Sequence, residues 1–264
     1  MEIKSLLDSM WNDYCQLNPA AKKIHDLFVK NGETVLNDHI ALRTFKHPRL
    51  GIASMSKVFE EVGYREKNDY HFKVKKLYAK HYEHSDPTLP KIFISELLLD
   101  QLSTETQKVI HSIVDQISDA TIKDETFSYS GRTWNLSYKV YEQLAMESEY
   151  ASWVAAIGFR PNHFTINVNA MKIYDTLEKV NHFLEDQKFI LNASGGKIKG
   201  TSAELLEQSS TMAELIDVTF DEGVKKVPGC YYEFAKRYTD STGKLYQGFI
   251  AASADKIFES TNRM

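Results

Sequence analysis

Cysteine is nearly absent from this 264-residue chain, which carries only Cys15 and Cys230. The two lie far apart and show neither a CxxC nor a Cys/His spacing. That excludes a disulfide framework or zinc finger and fits a reducing cytoplasm. No apolar run is long enough to cross a bilayer, and charges interrupt the opening MEIKSLLDSMWNDYC, so neither a membrane partner nor a signal peptide is expected. A basic surplus is lacking as well. The net charge of −4 argues against nucleic acid, which needs a concentrated basic face. Lys73, Lys75, Lys76 and Lys80 alternate with apolar residues and read as a solvated strand edge. The 195–200 stretch, Gly-Gly-Lys-Ile-Lys-Gly, lacks the Gly-x4-Gly-Lys-Ser/Thr form of a phosphate-cradling loop and reads instead as a mobile pocket loop. What remains is ordinary for a globular protein, 42% hydrophobic and 26% charged, with enough length to bury a core without staples.

Periodicity divides the chain. Leu6, Leu7, Met10 and Trp11 mark one helix; Asn18-Pro19 opens a second, which carries Ile24, Leu27 and Phe28 and stops at Gly32. A strand is expected at 37–45 and a helix at 51–62, with three strands at 64–74, 76–83 and 92–99. Helical patterns follow at 106–117 and 138–157. Then comes a strand at 161–169 and an amphipathic helix at 171–186. Further strands are expected near 189–191, 215–220 and 231–238, and the chain ends with 246–251 and a short helix near 254–258. A strand–helix–three-strand unit therefore occurs twice, with His39 and His163 heading the two first strands. This predicts an α+β fold of two small modules in one 1–264 domain. Its parts are a helical cover at 1–35, a first module at 36–100, a helical linker region at 101–158, and a second module with the C-terminal helix at 159–264.

Side-chain alternation makes three of these strands unusual. His39, Ala41 and Arg43 share one face, as do His163, Thr165 and Asn167, and as do Tyr231, Glu233, Ala235 and Arg237. A core face carries such groups only around something polar, although an exposed sheet face, or a Glu233 pair with Arg237 or Lys236, would also account for them. Glu96 stands in the first module much as Glu233 stands in the second. The other histidines have plainer readings: His25, His111 and His182 in helices, His47 in a turn. His71 lies in an aromatic strand that could line a cavity. His81 and His84 are three apart on a strand and face opposite ways, which makes them poor co-ligands. Two imidazoles and one carboxylate leave metal positions open for a chelating substrate and dioxygen, an arrangement suited to non-haem Fe(II).

Three stretches carry a resemblance: Asn-Asp-His-Ile-Ala-Leu-Arg-Thr-Phe (37–45), Arg-Pro-Asn-His-Phe-Thr-Ile-Asn (160–167) and Tyr-Tyr-Glu-Phe-Ala-Lys-Arg (231–237). With Tyr-Gln-Gly-Phe (246–249) and Ala-Asp-Lys-Ile-Phe-Glu-Ser (254–260), they resemble the 2-oxoadipate dioxygenase/decarboxylase (2-hydroxyglutarate synthase) family. The resemblance implies paired βαβββ modules of vicinal-oxygen-chelate type, curled around a metal site. It implies Fe(II) held by His39, His163 and Glu233, and Arg43 as the partner of a substrate carboxylate. Glu96, His71, Thr165, Tyr231 and Arg237 are the further candidates for the pocket or for support of the ligands. The implied reaction uses dioxygen to convert 2-oxoadipate to 2-hydroxyglutarate and carbon dioxide, a step of lysine breakdown. Two rivals stand beside it: a Zn- or Mn-dependent hydrolase, lyase or isomerase using metal-bound water on the same scaffold, and a non-catalytic binding module.

Overall fold

In the computed structural model, residues 2–262 are described. Two helices, α1 (Ile3–Leu17) and α2 (Pro19–Lys30), precede β1 (Asn37–Phe45), α3 (Ile52–Glu61), β2 (Arg65–Phe72), β3 (Leu77–Glu83) and β4 (Lys91–Leu97). Between the modules lie α4 (Thr104–Val114), α5 (Asp119–Lys123), α6 (Tyr138–Glu147) and α7 (Glu149–Ile157). The chain continues with β5 (Pro161–Asn167), α8 (Leu177–Asp186), β6 (Lys199–Thr201), β7 (Leu206–Ser210), β8 (Leu215–Phe220), β9 (Gly223–Pro228), β10 (Tyr231–Arg237) and α9 (Ala251–Phe258).

Eight of the strands form one mixed sheet in the order β2-β3-β4-β1-β5-β10-β7-β6. Its halves have the same plan. The first strand runs parallel to the last of its own module, β1 with β4 and β5 with β10, and antiparallel pairings lead outward to each edge. β1 and β5 join the halves antiparallel at the centre. Helix α9 touches β2 at one edge and β6 at the other, so the sheet curls around it.

Alternation sorts the central strands into two faces. Phe164, Ile166, Tyr232 and Phe234 are buried on the outer face, where Trp11 and Tyr14 pack on Phe164 and Phe28 packs on Phe234. At about 1.5–3 kcal/mol for each large apolar side chain taken from water, this makes α1 and α2 part of the core. The Tyr14 hydroxyl also donates to the Tyr231 carbonyl, tying the helical cover to β10. The inner face keeps the polar residues.

Several expected elements take a different form. The 138–157 helix is two helices, because the Ser148 side chain accepts from the Ala151 amide and starts α7 afresh. The 171–186 helix begins only at Leu177. The amides of Lys172, Ile173 and Tyr174 bind the Glu33 carboxylate at 2.6–2.9 Å, and Thr176 supplies the cap. Residues 189–191 contribute one bridge, Leu191 to Thr211, in place of a strand. β8 leaves the main sheet and pairs with β9 in a separate hairpin, while β6 and β7 take the outer places of the second module. Residues 246–250 form no strand; they cross the inner face as a loop into α9.

Gly158 sets the turn from α7 into the strand bearing His163. It sits at φ 82°, ψ −160°, which only glycine adopts readily, and a Cβ there would lie 2.2 Å from the Gly131 backbone. Backbone strain of ~1–3 kcal/mol and overpacking of similar size add together here. Gly158→Ala is therefore expected to lower the unfolding midpoint sharply in a thermal melt; an unchanged midpoint would show that this close approach relaxes freely.

Candidate metal centre

His39, His163 and Glu233 come from three adjacent strands and meet on the inner face. Each offers one ligand atom, and these atoms lie within 4.8 Å of one another. The strand register does this: His39 pairs with Thr165, Ala41 with His163, and Glu233 with Thr165. All three side chains are buried, Glu233 completely.

The outer nitrogen of each imidazole is already engaged. His39 Nδ1 lies 2.8 Å from Asp38 Oδ1, and His163 Nδ1 lies 3.1 Å from Asn162 Oδ1. Both partners accept, so the ring protons sit on Nδ1 and the Nε2 lone pairs face inward. Asp38 stays ionised: burial alone would raise its carboxyl, but Arg237 and the His39 contact hold it well below the carboxylate range. Burial pushes His39 down, in spite of Asp38, and pushes His163 well down, so both rings are neutral. The two Nε2 atoms are 3.4 Å apart, His163 Nε2 is 3.2 Å from Glu233 Oε2, and His39 Nε2 is 3.5 Å from Glu233 Oε1.

Glu233 completes the test of fit. Gln208 donates to Oε1 at 2.6 Å, whereas Oε2 is buried with no hydrogen bond. Burial, partly offset by Gln208, pushes the carboxyl up to about 8. Lone pairs from two neutral imidazoles and a carboxylate thus converge on one small volume, and a divalent cation satisfies all three at once. The donor set fits a metal.

Around this point Thr165 Oγ1 lies 3.1 Å from His39 Nε2, and the Tyr231 ring stacks on His163 with centroids 4.6 Å apart. The Tyr231 hydroxyl is buried and faces the Arg43 guanidinium. Arg43 points to the same face, four residues and about 13 Å along β1 from His39. It is 1% exposed, walled by Tyr150, Trp153 and Phe258, and donates to Glu149 at 3.2 Å and Thr261 at 3.3 Å, while its Nε has no partner among the described residues. Glu149 and Thr261 line a cavity of about 570 Å³ with Tyr141, Ser152 and Lys226.

Two candidates lie elsewhere. Glu96 is in register with Thr44, on the outer face, and its Oε2 accepts from the Ile52 amide at the start of α3. It is a helix cap, and the first-module counterpart of Glu233 is Phe93, set two residues beyond the partner of the leading histidine. His71 pairs with Tyr78 on the outside, its side chain 66% exposed beside Asp69. His81, by contrast, is buried on the inner face against the Tyr70 hydroxyl, 2.9 Å away, and Glu83, 3.1 Å away. The sequence did not place Asp38, Gln208 or Phe249 at the site, although Asp38 and Phe249 fall within the stretches that carry the resemblance, and it set His81 aside as a co-ligand of His84. The 195–200 stretch leads into β6 and turns Lys199 inward to the Asn192 carbonyl, where burial pushes its ammonium down to about 8.

Residues 4–245 match the family described as 2-oxoadipate dioxygenase/decarboxylase. The chain belongs to that family. A chloroplastic 2-oxoadipate dioxygenase/decarboxylase of Arabidopsis thaliana is 36% identical over 98% of this chain and 77% of its own length. The hydroxyglutarate synthase of Oryza sativa, solved in complex with 2-oxoadipate, superposes with a TM-score of 0.92 at 33% identity, over 98% of this chain and 91% of that one. A Shewanella frigidimarina protein, provisionally described as a hydrolase, gives 0.91 at 47% identity over 95% and 98% of the two chains. A glyoxalase-superfamily protein of Ralstonia eutropha shares the fold alone, with a TM-score of 0.79 at 19% identity over 92% and 84%. The α+β architecture is thus the paired-module, vicinal-oxygen-chelate plan, and membership makes this chain an enzyme of the dioxygenase/decarboxylase family.

Proposed function

We propose that this chain is an Fe(II)-dependent dioxygenase/decarboxylase that converts 2-oxoadipate and dioxygen to 2-hydroxyglutarate and carbon dioxide, a step of lysine catabolism. The observation that carries this reading is the convergence of His39, His163 and Glu233, with both Nδ1 atoms tied outward and the Glu233 Oε2 unpartnered, on the face that also bears Arg43. Family membership and the 2-oxoadipate bound to the rice relative support the substrate.

When bound, Fe(II) supplies open coordination positions for a chelating 2-oxo acid and dioxygen. The remaining work belongs to the chain. Asp38 and Asn162 keep the two imidazoles in the ligating tautomer. The Arg43 fork takes the distal carboxylate, with Glu149 and Thr261 holding the guanidinium. Tyr150, Trp153 and Phe258 exclude water from that ion pair, which strengthens it.

Oxygen uptake by anaerobically Fe(II)-loaded protein on adding 2-oxoadipate, with products read by mass spectrometry, tests this. Uptake matched by 2-hydroxyglutarate and carbon dioxide is the expected result. Oxygen-independent turnover with Zn(II) or Mn(II) would instead place the site among metal-dependent hydrolases, lyases or isomerases.

Arg43→Met separates substrate binding from metal binding. A charge-assisted hydrogen bond is worth about 1.5–3 kcal/mol, so KM for 2-oxoadipate is expected to rise roughly 10- to 150-fold. KM for a 2-oxo monoacid of equal length should move far less, and Fe(II) affinity should stay at the wild-type value. Equal loss on both acids would remove Arg43 from carboxylate binding.

A further inference from the structure

Arg237 ends the strand that carries Glu233, and its guanidinium is committed in two directions. Toward β1, Nε and Nη2 donate to the two Asp38 oxygens at 2.7 and 2.8 Å, and Asp38 Oδ1 in turn takes His39 Nδ1. Toward the loop before α9, Nη1 donates to the carbonyls of Tyr246 at 3.2 Å and Gly248 at 2.7 Å. The next residue, Phe249, sets its ring edge-on to His39 with centroids 4.8 Å apart, and also packs on Phe93 and on the guanidinium. Its amide donates to the Tyr70 hydroxyl, which meets His81. The Arg237 backbone is itself pinned, exchanging two 2.8 Å hydrogen bonds with the Asn169 side chain.

We propose that Arg237 is a positioning residue that couples closure of the 246–249 loop over the metal centre to the orientation of His39. Its side chain is buried, so lifting the loop would strip two acceptors from a buried cation. Turning Asp38 away would strip the other two. All three guanidinium nitrogens have acceptors only when the loop is down and Asp38 faces His39. Metal held by His39 therefore favours the closed loop, and the closed loop favours metal, since a coupling between two events acts equally in both directions. Lysine cannot reproduce this arrangement: its ammonium has three donors and no planar fork.

The proposal rests on the metal-centre reading, and Co(II) serves as the probe for both. In the wild type, Co(II) binding is expected to slow amide hydrogen exchange across residues 246–250. In Arg237→Lys, Co(II) affinity is expected to fall ~10- to 100-fold, the usual cost of losing support behind a metal-bound histidine. The visible Co(II) bands should shift, and the metal should no longer slow exchange in the loop. Phe249→Ala removes the ring that ties the loop to His39, Phe93 and the guanidinium, and combined with Arg237→Lys it should weaken Co(II) binding by less than the product of the single effects. Wild-type affinity and bands in Arg237→Lys, with only a lowered melting temperature, would reduce Arg237 to a structural role and overturn the coupling. Loop exchange in the wild type that ignores Co(II) would overturn it too, whether or not any variant folds. A wild-type chain that binds no Co(II) would sink the metal-centre reading itself.

Discussion

His163→Ala is expected to lose stoichiometric metal and essentially all turnover. Removing a proposed ligand should cost more than the ~10- to 100-fold in metal affinity that loss of an outer partner brings. It also opens a gap in a donor set with no spare member: among the described residues, His39, His163 and Glu233 form the one His, Cys, Asp and Glu group able to hold a metal. Folding should survive. His163 Nε2 meets the Glu233 carboxyl, which burial pushes up to about 8, its Nδ1 meets the Asn162 side chain, and its ring stacks on Tyr231. The expected pattern is therefore a melting curve close to that of metal-stripped wild type, with the metal-induced rise in stability gone. Metal content by elemental analysis, beside the melt, decides it. Full iron content with full turnover would remove His163 from the ligand set.

Glu233→Gln should separate stability from binding, and pH gives the sign. With its carboxyl near 8 in the fold and near 4.5 when unfolded, Glu233 holds a proton in the folded chain across that window after the unfolded chain has released it. Stability of the metal-stripped protein therefore falls as pH rises from about 4.5 to about 8. Glutamine keeps the shape and removes the slope, so the stripped variant should be more stable than stripped wild type at pH 8. Lys199, pushed down to about 8 from 10.5 by burial, contributes a rise with pH only above that window. Metal binding in the wild type should release the Glu233 proton, so affinity should strengthen with pH and level off near 8. Calorimetry in buffers of different ionisation enthalpy counts that proton. Parallel pH–stability curves for the two stripped proteins would show that Glu233 is ionised in the fold.

The candidate site was readable where it depended on strand alternation alone. His39 with Arg43, His163 with Thr165, and Tyr231 with Glu233 each share a face because side chains alternate with period two. The same rule failed for Glu96, since it fixes relative faces within a strand but not which face of the sheet turns inward. Register showed that Glu96 is a helix cap and Phe93 the counterpart of Glu233. His81 was missed for a related reason: excluding it as a co-ligand of His84 says nothing about which side it occupies. The 171–176 segment had helical periodicity, yet Glu33, some 140 residues earlier, takes its amides.

By itself, then, the sequence determined the element types of the first module, the first and last sheet strands of the second, the polar face of the central strands and the residues that bear the resemblance. These follow from local periodicity and capping, which act within a few residues. Tertiary structure alone decided which strands joined the sheet, so that 215–220 went to a hairpin and β6 and β7 took its place. It also brought Asp38 to Arg237, Gln208 to Glu233 and Phe249 to His39. Those contacts join residues 25 to 210 positions apart, and a hydrogen bond or ring contact over that span leaves no periodic trace in either segment.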